Sequence, residues 1–177
     1  MPTITYAHLA ALKAVRDSRT AITANAAFTV SNNEYKEYTI DSAHYGNPGA
    51  VADFSGNKVV GVPDIFWSLG LRYSPKPFRS LSAGVSVQSV GEYFADDANA
   101  ITVPSYTIFN ASIGLDRWAP GGGDFFVSAL LGVNNVGDSK YVGSAWLNPD
   151  IVDGAPVYIE PGLPRNFVGS LSLGMNF

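Results

Sequence analysis

The chain contains two histidines, His8 and His44, and no cysteine, so any catalytic or metal chemistry has to be built from these imidazoles and from oxygen ligands. His44 lies close to Asp41 and Ser42, the residue types of a serine hydrolase. All three fall within four positions, whereas such a triad converges from separate elements, so the group reads as a solvated loop and the chain as no enzyme. His8 has no partner of this kind nearby. Without cysteine, disulfides, thiolate metal sites and thiol nucleophiles are excluded together. Acidic residues collect in the longer connections, at Asp41, Asp53, Asp96, Asp97, Asp138, Asp150, Asp153 and Glu160. Carboxylates are calcium ligands, yet neither Asp96-Asp97 nor Asp150 to Asp153 has the spacing of a calcium loop, so solvated loop tips are expected. No metal site and no cofactor is expected. Gly121-Gly122-Gly123 could cradle a phosphate only ahead of a helix, and its place between two alternating runs makes it a turn.

The elements that carry these loops are legible from composition and period. Hydrophobic residues make up 46% of the chain and charged residues 15%, against roughly 25% charged in an average soluble domain. The water-facing surface is therefore small or weakly charged. No run of about 18 apolar residues occurs, which excludes a membrane-spanning helix, so any contact with lipid is made by strands. A net charge of -4 with scattered Lys and Arg excludes a basic surface for nucleic acid.

Residues 166–177 show the pattern most clearly. Phe167, Leu171, Leu173, Met175 and Phe177 alternate with Ser170, Ser172, Gly174 and Asn176, one apolar face and one small or polar face. The same period recurs around Leu69 and Leu71, Val85 and Val87, Ile113 and Leu115, and Val127 and Leu131, and less cleanly from Ile22 to Val30. The chain is thus expected to be all-β, an antiparallel meander of about six long transmembrane-type strands near 20–36, 63–74, 78–94, 104–117, 123–136 and 165–177. The ten apolar residues Leu69, Leu71, Val85, Val87, Ile113, Leu115, Val127, Leu131, Leu171 and Leu173 should all share one side.

Connections alternate short (74–77, 117–123) and long (39–62, 95–103, 137–165), as in barrels with short periplasmic turns and long outer loops. Tyr35, Trp67, Tyr93, Tyr106 and Phe167 fall near the outer strand ends, and Tyr73, Phe78, Trp118, Phe125 and Phe177 near the inner ends, where aromatic girdles belong. Arg72, Gln88, Glu92 and Asn110 face a polar interior. A soluble sandwich alternates too, but gives core aromatics no reason to gather at strand ends.

The run Val133-Asn134-Asn135-Val136-Gly137-Asp138-Ser139-Lys140-Tyr141 resembles the end of the penultimate strand in TonB-dependent receptors. Gly162-Leu163-Pro164-Arg165-Asn166-Phe167 is similar to that family's lead-in to the last strand, and Gly61-Val62-Pro63 to one several strands earlier. The motif positions are Asn134, Asn135, Asp138, Tyr141, Pro164 and Arg165. The resemblance covers about residues 20–177 and leaves 1–19 unassigned. It implies a larger outer-membrane barrel of a Gram-negative cell, plugged by another domain and coupled to TonB, for uptake of a large nutrient such as a ferric siderophore. It also implies that Phe167, Leu171, Leu173, Met175 and Phe177 form the terminal signal read by the barrel-assembly machinery.

Six strands are too few to close in lipid, because a small packed barrel begins near eight and an open edge leaves backbone groups unpaired in hydrocarbon. The N-terminal twenty residues also lack an export signal. The chain is therefore expected to be part of something larger, with outer-membrane lipid, the remaining barrel and the plug as partners. Alternatives are a soluble all-β binding module and a small barrel built from several copies.

Overall fold

The computed structural model describes residues 16–17, 20–41, 51–75, 78, 80–147 and 157–176. In chain order the strands are β1 (Arg16–Asp17), β2 (Thr20–Val30), β3 (Thr39–Asp41), β4 (Val51–Asp53), β5 (Ile65–Pro75), β6 (Leu81–Val90) and β7 (Tyr93–Phe94). There follow β8 (Thr102–Val103), β9 (Tyr106–Trp118), β10 (Phe125–Asn134), β11 (Val142–Leu147), β12 (Val157–Pro161) and β13 (Asn166–Met175). One antiparallel sheet runs β1-β2-β5-β6-β9-β10-β13, and β3-β4, β7-β8 and β11-β12 are separate two-stranded hairpins. The six long strands each pair with the next long strand along the chain, as the period-two pattern predicts. The three hairpins stand in the long connections, all at one end of the sheet, and the short turns close the other.

Register decides which side chains share a face. Ala26, Leu69 and Val87 align across β2, β5 and β6, Val85 aligns with Ala111 and Val87 with Phe109, and Leu131 bridges Ile113 and Gly169. The ten apolar residues expected on one side are all there. Nothing in the described chain covers them: Leu71 is 54% exposed, Leu131 60% and Leu171 70%. A second layer would have buried them, and none is formed among the described residues, against the soluble sandwich. The opposite face is small and polar, with rows such as Asn25, Gly70, Ser86 and Asn110. Gly132 is required there, since a Cβ would lie 2.8 Å from Val168 Cγ2.

Near the turn end the register slips once. Leu115 pairs with Ala129 but Trp118 pairs with Val127, so residues 116–117 form a bulge. Arg117 adopts φ 45° there and sets its guanidinium 3.8 Å over the Phe126 ring. The bulge keeps Trp118 on the apolar face.

The strands are shorter than the sequence predicts, two of them by six or more residues. β2 stops at Val30, because beyond it the backbone bonds to an irregular segment, with Ser31 N donating to Asp64 O and Val59 N to Asn33 O. β6 ends at Val90; Gly91 N still donates to Ile65 O in the next register position, so close that a Cβ at Gly91 would meet that oxygen at 2.9 Å. Tyr93–Phe94 then turns away to pair with Thr102–Val103.

Candidate functional site

The loop end of the sheet is where buried chemistry collects. Asn135 is almost wholly buried at 2% exposure and takes φ 50°, a conformation asparagine tolerates better than other side chains. Its amide nitrogen donates to Ser139 O (2.9 Å) and Leu163 O (3.1 Å), its side-chain oxygen accepts from Ser139 N (2.9 Å), and its own N–H donates to Asn110 Oδ1 (3.0 Å). Asp138 Oδ1 accepts from Arg165 N (2.8 Å), Asn134 donates to Asn166 Oδ1 (2.9 Å), and Asn166 donates to Pro164 O (2.9 Å). Gly162 N donates to Tyr141 O (2.8 Å). The Tyr141 ring stacks on Tyr106 with centroids 4.3 Å apart and lies against Gly162, leaving no room for a Cβ. Asn134, Asn135, Asp138, Tyr141, Pro164 and Arg165 are thus brought together. They staple the two feet of the segment that carries the β11-β12 hairpin.

A second knot ties the other two hairpins. Asp97 accepts from Tyr35 Oη (3.0 Å) and Tyr38 Oη (3.4 Å), and its carbonyl accepts from Asn57 Nδ2 (2.7 Å). Asn99 donates to Lys58 O (3.0 Å) and accepts from Lys58 N (2.6 Å). Lys58 Nζ reaches Asp64 at 3.0 Å. Burial, then the hydrogen bond to Asp97 and its negative charge, push the Tyr35 hydroxyl up to about 12, and the same causes raise Tyr38. Hydrogen bonds from Ser55 hold Asp53 below the usual carboxylate range.

Asp96 corrects the expectation of solvated acidic loop tips. It is 5% exposed and accepts from Ile101 N (2.7 Å) and Ala100 N (3.2 Å), so it folds the turn between β7 and β8. Beside it lies a cluster of buried apolar residues, Ala95, Val103 and Ala145, with Tyr93, Ile101 and Val142 packed on it. This cluster joins the β7-β8 and β11-β12 hairpins. On the other face of β11-β12, Trp146 and Tyr158 pair across the strands with ring centroids 6.2 Å apart, and Ser144 donates to Glu160 (2.8 Å). The cap therefore presents aromatic rings and a carboxylate on one arm.

The remaining expected positions divide clearly. Phe167, Leu171, Leu173 and Met175 line the apolar face of β13, between 55% and 76% exposed. Arg72 and Asn110 lie on the polar face, where Arg72 donates to Ser82 Oγ (2.8 Å) and Asn110 to Ser86 Oγ (3.3 Å). Gln88 shares that face, whereas Glu92 lies just past the end of β6. Of the expected outer aromatics, Trp67 and Phe167 stay on the apolar side, but Tyr35, Tyr93 and Tyr106 are drawn into the cap. Phe177, His8, Ser42, His44, Asp150 and Asp153 lie outside the described residues. Among the described residues no group of three His, Cys, Asp or Glu could hold a metal ion, and no helix is long and apolar enough to cross a membrane.

A sheet that is apolar outward, small and polar inward, and capped at one end is the geometry of a barrel wall with its mouth. The family model for the TonB dependent receptor-like β-barrel matches residues 12–136. The chain belongs to the TonB-dependent receptor β-barrel family. It is 35% identical over 99 residues to the ferrioxamine receptor of Yersinia enterocolitica, covering 55% of this chain and 13% of that protein. It is 31% identical over 134 residues to the ferrichrome outer membrane transporter/phage receptor of Escherichia coli K12, covering 75% and 17%. The siderophore receptor PiuA from Acinetobacter baumannii shares the fold at TM-score 0.61 and 21% identity, over 87% of this chain and 19% of that one. The ferric citrate transporter FecA is similar at TM-score 0.61 and 18% identity, over 88% and 21%. The chain thus spans between about an eighth and a sixth of the length of these curated relatives. TonB-dependent receptors are outer-membrane proteins of Gram-negative bacteria and form a transport family.

Proposed function

We propose that the chain acts as wall and mouth of an outer-membrane receptor that takes up a ferric siderophore or a similarly large nutrient, driven through TonB. The observation that carries this reading is the pairing of an uncovered apolar face with a folded cap of three hairpins, in a chain whose relatives are receptors for ferrioxamine and ferrichrome. The strand edges of β1 and β13 would pair with further strands of the barrel, and the small polar face would look onto a plug. The β11-β12 arm, with Trp146, Tyr158 and Glu160, is the part of this chain best placed to touch a ligand, and the staple around Asn135 sets its angle. In this reading β13 also carries the signal for the barrel-assembly machinery, ending at Phe177.

Iron-starved cells lacking the receptor that contains this chain, and the same cells complemented with it, test the uptake reading. Complementation should restore growth on ferrioxamine or ferrichrome as iron source, and the double change Trp146→Ala and Tyr158→Ala should reduce it while leaving the amount of barrel in the outer membrane unchanged. Growth identical with and without the receptor on a panel of ferric chelates would overturn the reading.

A further inference from the structure

On the apolar side, strand β6 forms the floor of a valley. It presents Ala83, Val85 and Val87, and taller neighbours stand in register on either hand: Tyr73, Leu71 and Leu69 on β5, and Ile113 and Phe109 on β9, with the small Ala111 between them. One depression of about 370 Å³ is bounded by Leu69, Leu71, Val87, Phe109 and Val136. A second, of about 280 Å³, is bounded by Ile22, Tyr73 and Ala83. Both include Leu71 and Val85, so they are successive stretches of one trough.

The dimensions select the occupant. The walls on β5 and β9 are two strand spacings apart, about 9.5 Å between strand axes, too narrow once side chains are added for a helix about 10 Å across but wide enough for one hydrocarbon chain. From Ala83 to Ser89 the strand rises about 20 Å. Tilted by about 40°, as barrel strands are, that projects to about 15 Å, half the hydrocarbon thickness. The trough is closed toward the cap by a polar step, where Ser89 and Thr107 are in register and Thr107 Oγ1 donates to Ser89 Oγ at 2.9 Å. Trp67 is in register with Ser89 on the other side. Arg72 is the one charged residue along the two depressions, and its guanidinium is turned to the opposite face, where it donates to Ser82 Oγ.

We propose that this trough is a lipid site that holds one acyl chain of an outer-leaflet lipid, its carbonyl end at the Ser89 and Thr107 hydroxyls and its methyl end near Ala83. The proposal rests on the outer-membrane placement above and continues the lipid-facing band. An ordinary lipid-facing strand is covered by chains that exchange freely. A trough one chain wide, walled by β5 along its length and by Ile113 and Phe109 at either end of the β9 side, holds its chain longer because the chain meets more protein atoms there than on a flat face.

The test uses the intact receptor purified from outer membranes in mild detergent, with retained lipid counted by native mass spectrometry. Val85→Phe and Ala83→Phe fill the floor, and Ala129→Phe adds the same ring to the same face beyond the trough. The native receptor should retain one lipid, the two floor variants about tenfold less, equivalent to one or two buried methylenes, and the Ala129→Phe variant as much as native. Heat-modifiable gel mobility restricts the comparison to folded barrels, and two floor variants guard against one failing to assemble. Equal retention in all four proteins, or none in the native receptor, would overturn the trough while leaving the membrane reading intact. Absence of the receptor from the outer-membrane fraction would overturn both.

Discussion

Val85 and Val103 are the same residue in one chain, yet Val85 is 58% exposed and Val103 4%. The first sits in the membrane band of the sheet, the second in the cap a few residues past its end. In the band, apolar side chains point away from the sheet, as they do in the proposed setting, where the solvent is hydrocarbon. Order comes from the backbone ladder, whose groups have no water to turn to. In the cap, apolar side chains gather inward around Ala95, Val103 and Ala145, and hydrogen bonds that the side chains of Asn135 and Asn99 donate and accept and those of Asp96 and Asp97 accept replace the ladder. Burial is thus set by the local solvent, not by residue type.

The sharpest way to break this comparison is to put a charge on each face of the band. Leu71→Arg should cost about 2–4 kcal/mol, the range for a charge on the lipid side near the bilayer midplane, read by urea titration of the receptor folded in vesicles. Ser86→Arg, on the inward face of the neighbouring strand, should cost less than about 1 kcal/mol. Equal costs would mean that the two faces meet the same solvent.

In the cap, Asn135→Ala should cost about 1–3 kcal/mol locally, because Ser139 N, Ser139 O and Leu163 O lose their partner inside a buried site. Hydrogen exchange should speed up across 137–147 and 157–165 and stay unchanged in β5 and β6. Exchange that rises throughout the sheet would show that cap and band are one cooperative unit.

The smallest effect is a titration. Tyr35 has its hydroxyl pushed up to about 12 in the folded cap, so the neutral form favours the folded state. That contribution is complete below the ordinary tyrosine value near 10 and is lost as pH rises from there toward 12. Proteolytic nicking within 31–61 should therefore increase over this window in the native protein. The Tyr35→Phe variant should show more nicking at neutral pH and a weaker rise.

The band was the legible half of the molecule. Its two-sided contrast, an apolar face against a small polar one, writes itself into every second residue, so Leu69 and Leu71 or Leu171 and Leu173 announce both strand and face. The cap leaves no such period. β7 and β8 are two residues each, held by Asp96 bonding to main chain four and five positions on, a local carboxylate that looks like any solvated aspartate in a loop. Position alone marks Tyr35, Tyr93 and Tyr106 as girdle aromatics. What diverts them are Asp97, the Ala95 cluster and Tyr141, partners that only the fold brings near. The residues from Asn134 to Arg165 were recognisable as a family pattern, but their work as a staple depends on contacts across 28 positions.

The most direct measurement uses single cysteines, since this chain has none of its own and any elsewhere in the receptor are replaced first. Single changes at successive positions of β6, from Ala83→Cys to Gln88→Cys, placed in the intact receptor in vesicles and spin-labelled, report collision with dissolved oxygen and with a water-soluble nickel chelate. Positions 83, 85 and 87 should favour oxygen and positions 84, 86 and 88 the chelate, alternating at every step. Accessibility that does not alternate, or that favours the chelate at Val85, would contradict a lipid-facing wall.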